Sequence, residues 1–211
     1  MKVLLVNGSP NKEGCTFVAL CEIAEKLKQE GIETEIFWIQ NKPIGGCIAC
    51  RKCSEIGKCT MDDVVNEFRA KAYEADGFIF GSPVHYAAAS GNMTSFMDRL
   101  FYSELCGNAN KAFRMKPAAV VVSARRAGTT AAFDQMMKYL TINEMPVVSA
   151  RYWNMVHGAK PEEVKEDLEG LFTMRELGRN MAYLLRCQEA GKNAGIYPPE
   201  KEVKPMTNFI R

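Results

Sequence analysis

The chain of 211 residues lacks most features that would tie it to a membrane or a nucleic acid. No apolar run reaches the ~20 residues of a membrane-spanning helix. No basic tract runs along it either: 27 basic and 25 acidic residues are interspersed and leave a formal net charge of +2. Nucleic-acid binding therefore has little support. The apolar start Met1-Lys2-Val3-Leu4-Leu5-Val6 ends at Asn7-Gly8-Ser9-Pro10. It is too short for a secretory leader, and no small-residue cleavage site follows it. Neither G-x-x-x-x-G-K-[ST] nor G-x-G-x-x-G occurs, which sets aside the ATP/GTP loop and the dinucleotide fingerprint. Internal repeats and low-complexity segments are also missing. These absences lead us to expect a cytoplasmic protein that handles small molecules.

Eight cysteines are present, and in a reducing compartment they argue against a disulfide framework. Cys15, Cys21, Cys106 and Cys187 are scattered and read as small buried hydrophobes. The length suits one large α/β domain, or one with an added segment. Such a domain needs no metal to fold, so a metal here would be functional rather than structural.

Strands and helices alternate. Lys2–Asn7 reads as a fully buried strand and residues 16–29 as a helix with Phe17, Leu20, Cys21, Ala24 and Leu27 on one face. Residues 33–39 form a second strand, and 41–61 an irregular, cysteine-rich insert. A helix over 62–75 follows, with Asp62 and Asp63 at its positive end. Residues 77–80 form the third strand, 90–102 a helix, 118–123 the fourth strand, 129–143 a helix and 146–150 the fifth strand. Residues 162–188 are mostly helix. We expect a doubly wound, five-stranded parallel sheet covered on both faces, with right-handed crossovers. The domain spans 1–190, and an extended tail, 191–211, packs against another subunit. In such sheets ligands sit beyond the carboxyl ends of the strands, here the loops after strands one, three and four.

The first of these loops, Gly8-Ser9-Pro10-Asn11-Lys12-Glu13-Gly14-Cys15-Thr16-Phe17, opens a helix. Free N–H groups and the positive dipole end bind anions there. Gly14 allows the turn, the hydroxyls of Ser9 and Thr16 can donate, and the amides of Cys15, Thr16 and Phe17 point inward, with Asn11 beside them. A single phosphate held by neutral groups suits FMN. The alternative is an ordinary helix start capped by Thr16 or Asn11.

The stretches Gly8-Ser9-Pro10 to Gly14-Cys15-Thr16, Gly81-Ser82-Pro83-Val84-His85-Tyr86 and Phe96-Met97-Asp98-Arg99 resemble the NADPH-dependent FMN reductases of the flavodoxin-like superfamily. With its cysteines added, the chain resembles the iron–sulfur flavoproteins of anaerobes. The likeness covers roughly residues 1–150. It implies a flavodoxin-like sheet, FMN at the strand ends, and a homodimer or homotetramer. It also implies NAD(P)H or reduced ferredoxin as donor, with quinones, flavins or oxygen species as acceptors.

Pro83 lacks an N–H and fixes its own backbone angle, stiffening the turn after strand three. The resemblance implies that the backbone at Val84, His85 and Tyr86 faces the flavin. Tyr86 either packs on the ring or is a rim aromatic, and His85 acts through its backbone rather than as a catalyst. After strand four, Ser123-Ala124-Arg125-Arg126-Ala127-Gly128 keeps Gly128 where relatives have a glycine-rich turn. Ser123, Arg125 and Gly128 are candidate contacts. An arginine near the flavin N1 and O2 would stabilise reduced flavin; alternatively both arginines are solvated. Asp98 and Arg99 read as a structural pair on a helix face. Where relatives often carry lysine this chain has Thr94, so that lysine's phosphate role is lost. The aromatic stretch Tyr152-Trp153-Asn154-Met155-Val156-His157-Gly158 reads as a loop packed under the last helix; the alternative is that it closes over a neighbouring subunit's flavin.

Cys47, Cys50, Cys53 and Cys59 are spaced C-x2-C-x2-C-x5-C. Two short spacings wrap three thiolates around one face of a [4Fe–4S] cube, and Gly57 lets Cys59 return. Zinc sites more often pair two C-x-x-C knuckles across a longer spacer, though zinc or free thiols stay open. Arg51 and Lys52 either soften the cluster charge toward an acidic partner or are solvated. The reading is an FMN-dependent oxidoreductase that relays electrons between FMN and a [4Fe–4S] cluster. We name no acid or base catalyst, since the cofactors do the chemistry. The rivals are a cluster-free FMN or quinone reductase, a flavodoxin-like carrier, and a redox-responsive binding protein.

Overall fold

Every residue of Lys2–Asn7 (β1) from Val3 onward is buried, and successive strand side chains point to opposite faces. Val3 and Leu5 enter one core and Leu4 and Val6 another. The elements continue as Cys15–Gln29 (α1), Glu33–Trp38 (β2), Cys53–Ile56 (α2), Val64–Ala72 (α3), Gly77–His85 (β3), Ala88–Ala89 (β4) and Gly91–Asn108 (α4). Ala118–Ala124 (β5), Thr129–Ile142 (α5), Met155–His157 (β6), Pro161–Glu166 (α6) and Leu168–Asn193 (α7) complete them. This computed structural model describes residues 1–203, 205–207 and 209.

The sheet order is β2-β1-β3-β5-β6, all parallel, with β4 antiparallel to β3. The two-sided division of β1 repeats in β3, where Phe78 and Phe80 oppose Ile79, and in β5, where Val120 and Val122 oppose Ala119 and Val121. Strands apolar on both faces need cover on both. Residues of α1, α6 and α7 cover one face, and residues of α3, α4 and α5 the other. On the second face Phe68 meets Phe37, Phe78, Phe80 and Phe96 at centroid distances of 5.2 to 6.3 Å. Phe37 is partly buried, and each of the other four, fully buried, contributes about 1.5–3 kcal/mol. The expected doubly wound parallel sheet is therefore present.

Several boundaries differ from the sequence reading. The fifth strand was expected over 146–150, but only Val147 bridges β5 there, opposite Ala118. The chain then leaves the edge and returns as β6, with Met155 opposite Val122. It spends four more residues than β5 over this rise, and the extra length leaves the ladder between Val148 and Asn154. Tyr152 and Trp153 of the aromatic stretch therefore lie in an excursion from the edge, while its Met155–His157 form the edge strand itself. Tyr152 and Trp153 stack edge-on at 4.8 Å, about half exposed rather than packed under a helix.

β3 runs to His85 and returns as β4, through a two-residue turn in which Tyr86 (φ 51°) and Ala87 (φ 59°) both have positive φ. The insert is not wholly irregular, since α2 lies inside it. The helix expected from Asp62 begins at Val64, because the Asp63 side chain accepts from the Val65 N–H at 3.0 Å and caps it. Asp167 divides the last helix: its carboxylate accepts from Gly170 N–H at 2.9 Å and from His157 N–H at 2.7 Å.

Candidate functional site

The loops after β1, β3, β5 and β6 meet at the carboxyl end of the sheet. Gly8 N–H donates to Gly81 O at 2.8 Å, and Ser90 Oγ donates to Gly8 O at 3.0 Å. Cys15 Sγ reaches Gly158 O at 3.5 Å. Asn7, fully buried, organises the first loop: its Oδ1 accepts from Ser9 N–H and its Nδ2 donates to Lys12 O at 2.8 Å. Trp38 Nε1 donates to Ser9 O at 2.8 Å from the neighbouring strand end. Neither Asn7 nor Trp38 was singled out from the sequence. A polar residue ending a buried strand before Gly-Ser-Pro was the available signal.

Ser9 is buried, and its Oγ accepts from Asn11 N–H at 3.1 Å, leaving its own O–H free to donate. Gly14 precedes α1 in extended conformation with no side-chain cap. The first-turn amides of Cys15, Thr16 and Phe17 thus lack a side-chain acceptor. Such a helix start holds an anion, and the alternative of an Asn11 or Thr16 side-chain cap is not realised. Thr16 is fully buried, its hydroxyl 2.8 Å from Ser123 Oγ. One hydroxyl of this pair donates to the other, so only one O–H is left for a ligand. Asn11 is exposed, and Phe17 is half-buried on α1. Burial raises the Cys15 thiol above its ordinary pKa.

Beside this loop, Val84, Tyr86, Arg125 and Gly128 line a cleft of about 380 Å³. Tyr86 is fully exposed. Pro83 lies in register with Ser123, and His85 is exposed and paired with Ala88 in the hairpin rather than in the cleft. Gly128 is required by its backbone: φ is 92°, and a Cβ there would lie 2.8 Å from Ala87 Cα. Arg125 and Arg126 are both exposed beside the cleft. A larger cleft, about 680 Å³, lies at the opposite end of the sheet, bounded by Met1, Asp76 and Lys116. None of the loops described above reaches it.

Cys47, Cys50, Cys53 and Cys59 line one small cleft with Thr60, Arg99 and Tyr102. Cys47 and Cys50 are exposed, Cys59 is half-buried and Cys53 is buried. The insert docks on α4 through close backbone contact, since a Cβ on Gly107 would lie 2.5 Å from Cys53 O. Asn108 Nδ2 also donates to Gly57 O at 2.6 Å. Asn66 Nδ2 donates to Cys59 O at 2.8 Å, and Ile44 N–H donates to Asn92 Oδ1 at 3.2 Å. The Lys52 backbone N–H, and then the Thr60 hydroxyl, hold the Cys50 thiol below its ordinary pKa. Burial pushes Cys53 up, and a fifth thiol, Cys106, adds to this.

Among the described residues no three His, Cys, Asp or Glu side chains are grouped so as to hold a metal ion. Four cysteines lining one cleft are nevertheless the donor set that a four-iron cube takes, each cysteine holding its own iron. The cleft measures about 20 Å³, space for about one water. Of its four thiols, Cys47 and Cys50 face solvent and Cys53 and Cys59 face the protein.

Two sequence readings need correction. Asp98 and Arg99 do not pair: Asp98 accepts from Tyr139, and Arg99 pairs with Asp63 at 2.6 Å. Burial, then this hydrogen bond, pushes the Tyr139 hydroxyl above its ordinary pKa. The scattered cysteines are not buried hydrophobes: Cys106 and Cys187 are exposed, Cys15 and Cys21 half-buried. Each lies on a helix, and none falls on its fully buried stripe.

Residues 1–160 match the NADPH-dependent FMN reductase family. The chain is 34% identical over 191 residues to an iron–sulfur flavoprotein of Methanocaldococcus jannaschii, covering 88% of this chain and 98% of that protein. Its fold is similar to RosB, solved with bound 8-demethyl-8-formylriboflavin-5′-phosphate, with a TM-score of 0.69 and 16% identity over 100% of this chain and 94% of that one. It is similar also to an archaeal flavodoxin, with a TM-score of 0.58 and 15% identity over 88% and 99%. The fold is flavodoxin-like, and the chain belongs to the NADPH-dependent FMN reductase family, as an FMN-dependent oxidoreductase.

Proposed function

We propose that the protein relays electrons between FMN, held at the carboxyl end of the sheet, and a [4Fe–4S] cluster held by Cys47, Cys50, Cys53 and Cys59. NAD(P)H or reduced ferredoxin is the donor. When bound, the flavin exchanges electrons in pairs or singly and the cluster exchanges them singly.

The chain supplies the holding and the spacing. The uncapped amides of Cys15, Thr16 and Phe17 and the Ser9 hydroxyl take the phosphate. Ser123 steadies this helix start through Thr16, with the exposed Asn11 at the loop's outer edge. Val84, Tyr86, Arg125 and Gly128, which line the cleft, flank the ring, and Pro83 and His85 belong to the hairpin that carries Val84 and Tyr86. Arg125 lies where its charge would favour reduced flavin.

The observation that carries the reading is the attachment of both regions to one helix. α4 touches the phosphate loop through Ser90 and the cysteine insert through Arg99 and Asn108. At ~1.5 Å per residue, Ser90 and Arg99 lie about 13–14 Å apart along its axis. One rigid element thus fixes the separation of the two centres.

Anaerobic mixing with NADPH tests this. Loss of the flavin bands together with the broad cluster absorbance supports the relay. Loss of the flavin bands alone supports a cluster-free reductase, a second reading favoured by the small cleft between the thiols. No bleaching, with reduced ferredoxin active instead, leaves the relay and replaces the donor.

Among the described residues no helix is long and apolar enough to cross a membrane, in keeping with a cytoplasmic enzyme. A homodimer or homotetramer agrees with the exposed Tyr86, Ile142, Tyr152 and Trp153.

A further inference from the structure

Arg99 sits in the middle of α4 and is fully buried, yet all five of its N–H groups are used. Nε donates to Cys59 Sγ at 3.3 Å. Nη1 donates to Asp63 Oδ2 at 2.6 Å and Gly45 O at 3.3 Å. Nη2 donates to Asp63 Oδ1 at 3.0 Å and Met61 O at 2.8 Å. Gly45, Cys59 and Met61 belong to the two ends of the cysteine insert, and Asp63 caps the helix that follows it. A single planar fork therefore closes the loop and points its remaining donor at a cysteine sulfur.

Burying a guanidinium costs several kcal/mol unless it is paired and hydrogen-bonded throughout. Asp63 supplies the pairing, and two carbonyls satisfy two further donors. A role confined to bracing the loop is met by these partners. The Nε contact with Cys59 is additional, and it places a weakly screened positive charge against a sulfur of the four-cysteine set.

We propose that Arg99 is a positioning residue that fixes Cys59 as a cluster ligand and raises the reduction potential of the cluster. This rests on the cluster reading above. Hydrogen bonds to ligand sulfur draw off negative charge, and hydrogen bonding and net charge are two of the levers that set cluster potentials. The reduced cluster carries one more negative charge than the oxidised one, so a nearby cation stabilises it more. Partners that orient a ligand also hold the metal in place. Asp63 moderates the effect, because its carboxylate offsets much of the arginine charge.

The test uses full-length protein reconstituted anaerobically with iron and sulfide, in wild type, Arg99→Met, Arg99→Lys and Asp63→Asn. FMN uptake and the melting curve report folding. Iron content, the half-time of cluster loss to a chelator and the midpoint potential report the cluster. Arg99→Met should lower the potential and shorten the half-time about 10–100-fold. Arg99→Lys keeps the charge and should recover part of the potential but less of the lifetime. Asp63→Asn, still a good helix cap, should shift the potential upward, because the arginine charge is less compensated.

Bracing alone would not move the potential in opposite directions in the two variants. Arg99 variants with wild-type potential, or Asp63→Asn with an unchanged or lowered potential, overturn the proposal. If neither Arg99 variant takes up FMN, the sign of the Asp63→Asn shift decides. Iron-free wild type would remove the cluster reading and this inference together; loaded wild type with unshifted variants removes the inference alone.

Discussion

Gly128 begins α5 at φ 92°, and a Cβ there would press on Ala87 Cα at 2.8 Å. Ala87 and Tyr86 already have positive φ, so the turn beside the cleft holds three such residues on two touching segments. Strained backbone of this kind costs about 1–3 kcal/mol per residue. Gly128→Ala should lower the melting temperature by about 3–10 °C and weaken FMN binding. Thermal melts and a flavin titration check both; unchanged values would show that the turn is not part of the flavin site. This glycine was legible because it stands after the fourth strand where the resembling family has a glycine-rich turn. Asn7 was not, since it also reads as the last residue of a strand. Arg99 was misread because its partners lie 36 to 54 residues away, and only local pairing is visible in a sequence.

Element boundaries were legible where local chemistry and tertiary packing agreed. β1 and β5 are continuous apolar runs, and their two-sided burial follows directly. At the fifth strand they disagreed. Pro146-Val147-Val148 has the β-branched composition of a strand, but the edge pairs there only through Val147, and the longer ladder falls to Met155–His157. The start of α7 depends on Asp167, whose carboxylate serves both Gly170 N–H and His157 N–H. Asp167→Ala should destabilise by about 0.5–2 kcal/mol and loosen β6, visible as faster amide exchange at His157. Unaltered exchange would confine Asp167 to the helix.

On the opposite sheet edge, Glu35 of β2 accepts from Lys71 at 2.8 Å and Lys2 at 3.0 Å. The Lys71 hydrogen bond, opposed by burial and aided by Lys2, holds its pKa below the ordinary 4.5. The folded state therefore binds this proton less tightly than the unfolded chain. The resulting stability is complete above pH 4.5 and fades as pH falls through the folded value. Glu35→Gln should cost about 0.2–1 kcal/mol at pH 7. The gap to wild type in chemical denaturation should close in acid. A gap that persists in acid would assign the loss to packing instead.

At the scale of the whole molecule, the fold gathers loops far apart in sequence at one end of the sheet and joins the cysteine insert to them through α4. The phosphate loop was legible because strand, Gly-Ser-Pro turn and helix start are contiguous, so a short window contains the anion site. The cysteine spacing was legible for the same reason. The docking of the insert on α4 was not, because it depends on Gly107 and Asn108, which carry no signal until Cys53 and Gly57 are placed against them. In the proposed relay, this docking would make the two centres parts of one device rather than two neighbouring motifs.

The most direct measurement of that device is the iron, acid-labile sulfide and FMN content of protein purified without exposure to air. The relay predicts about four irons and four sulfides for each FMN bound per chain. Protein that holds FMN yet contains neither iron nor sulfide would contradict it.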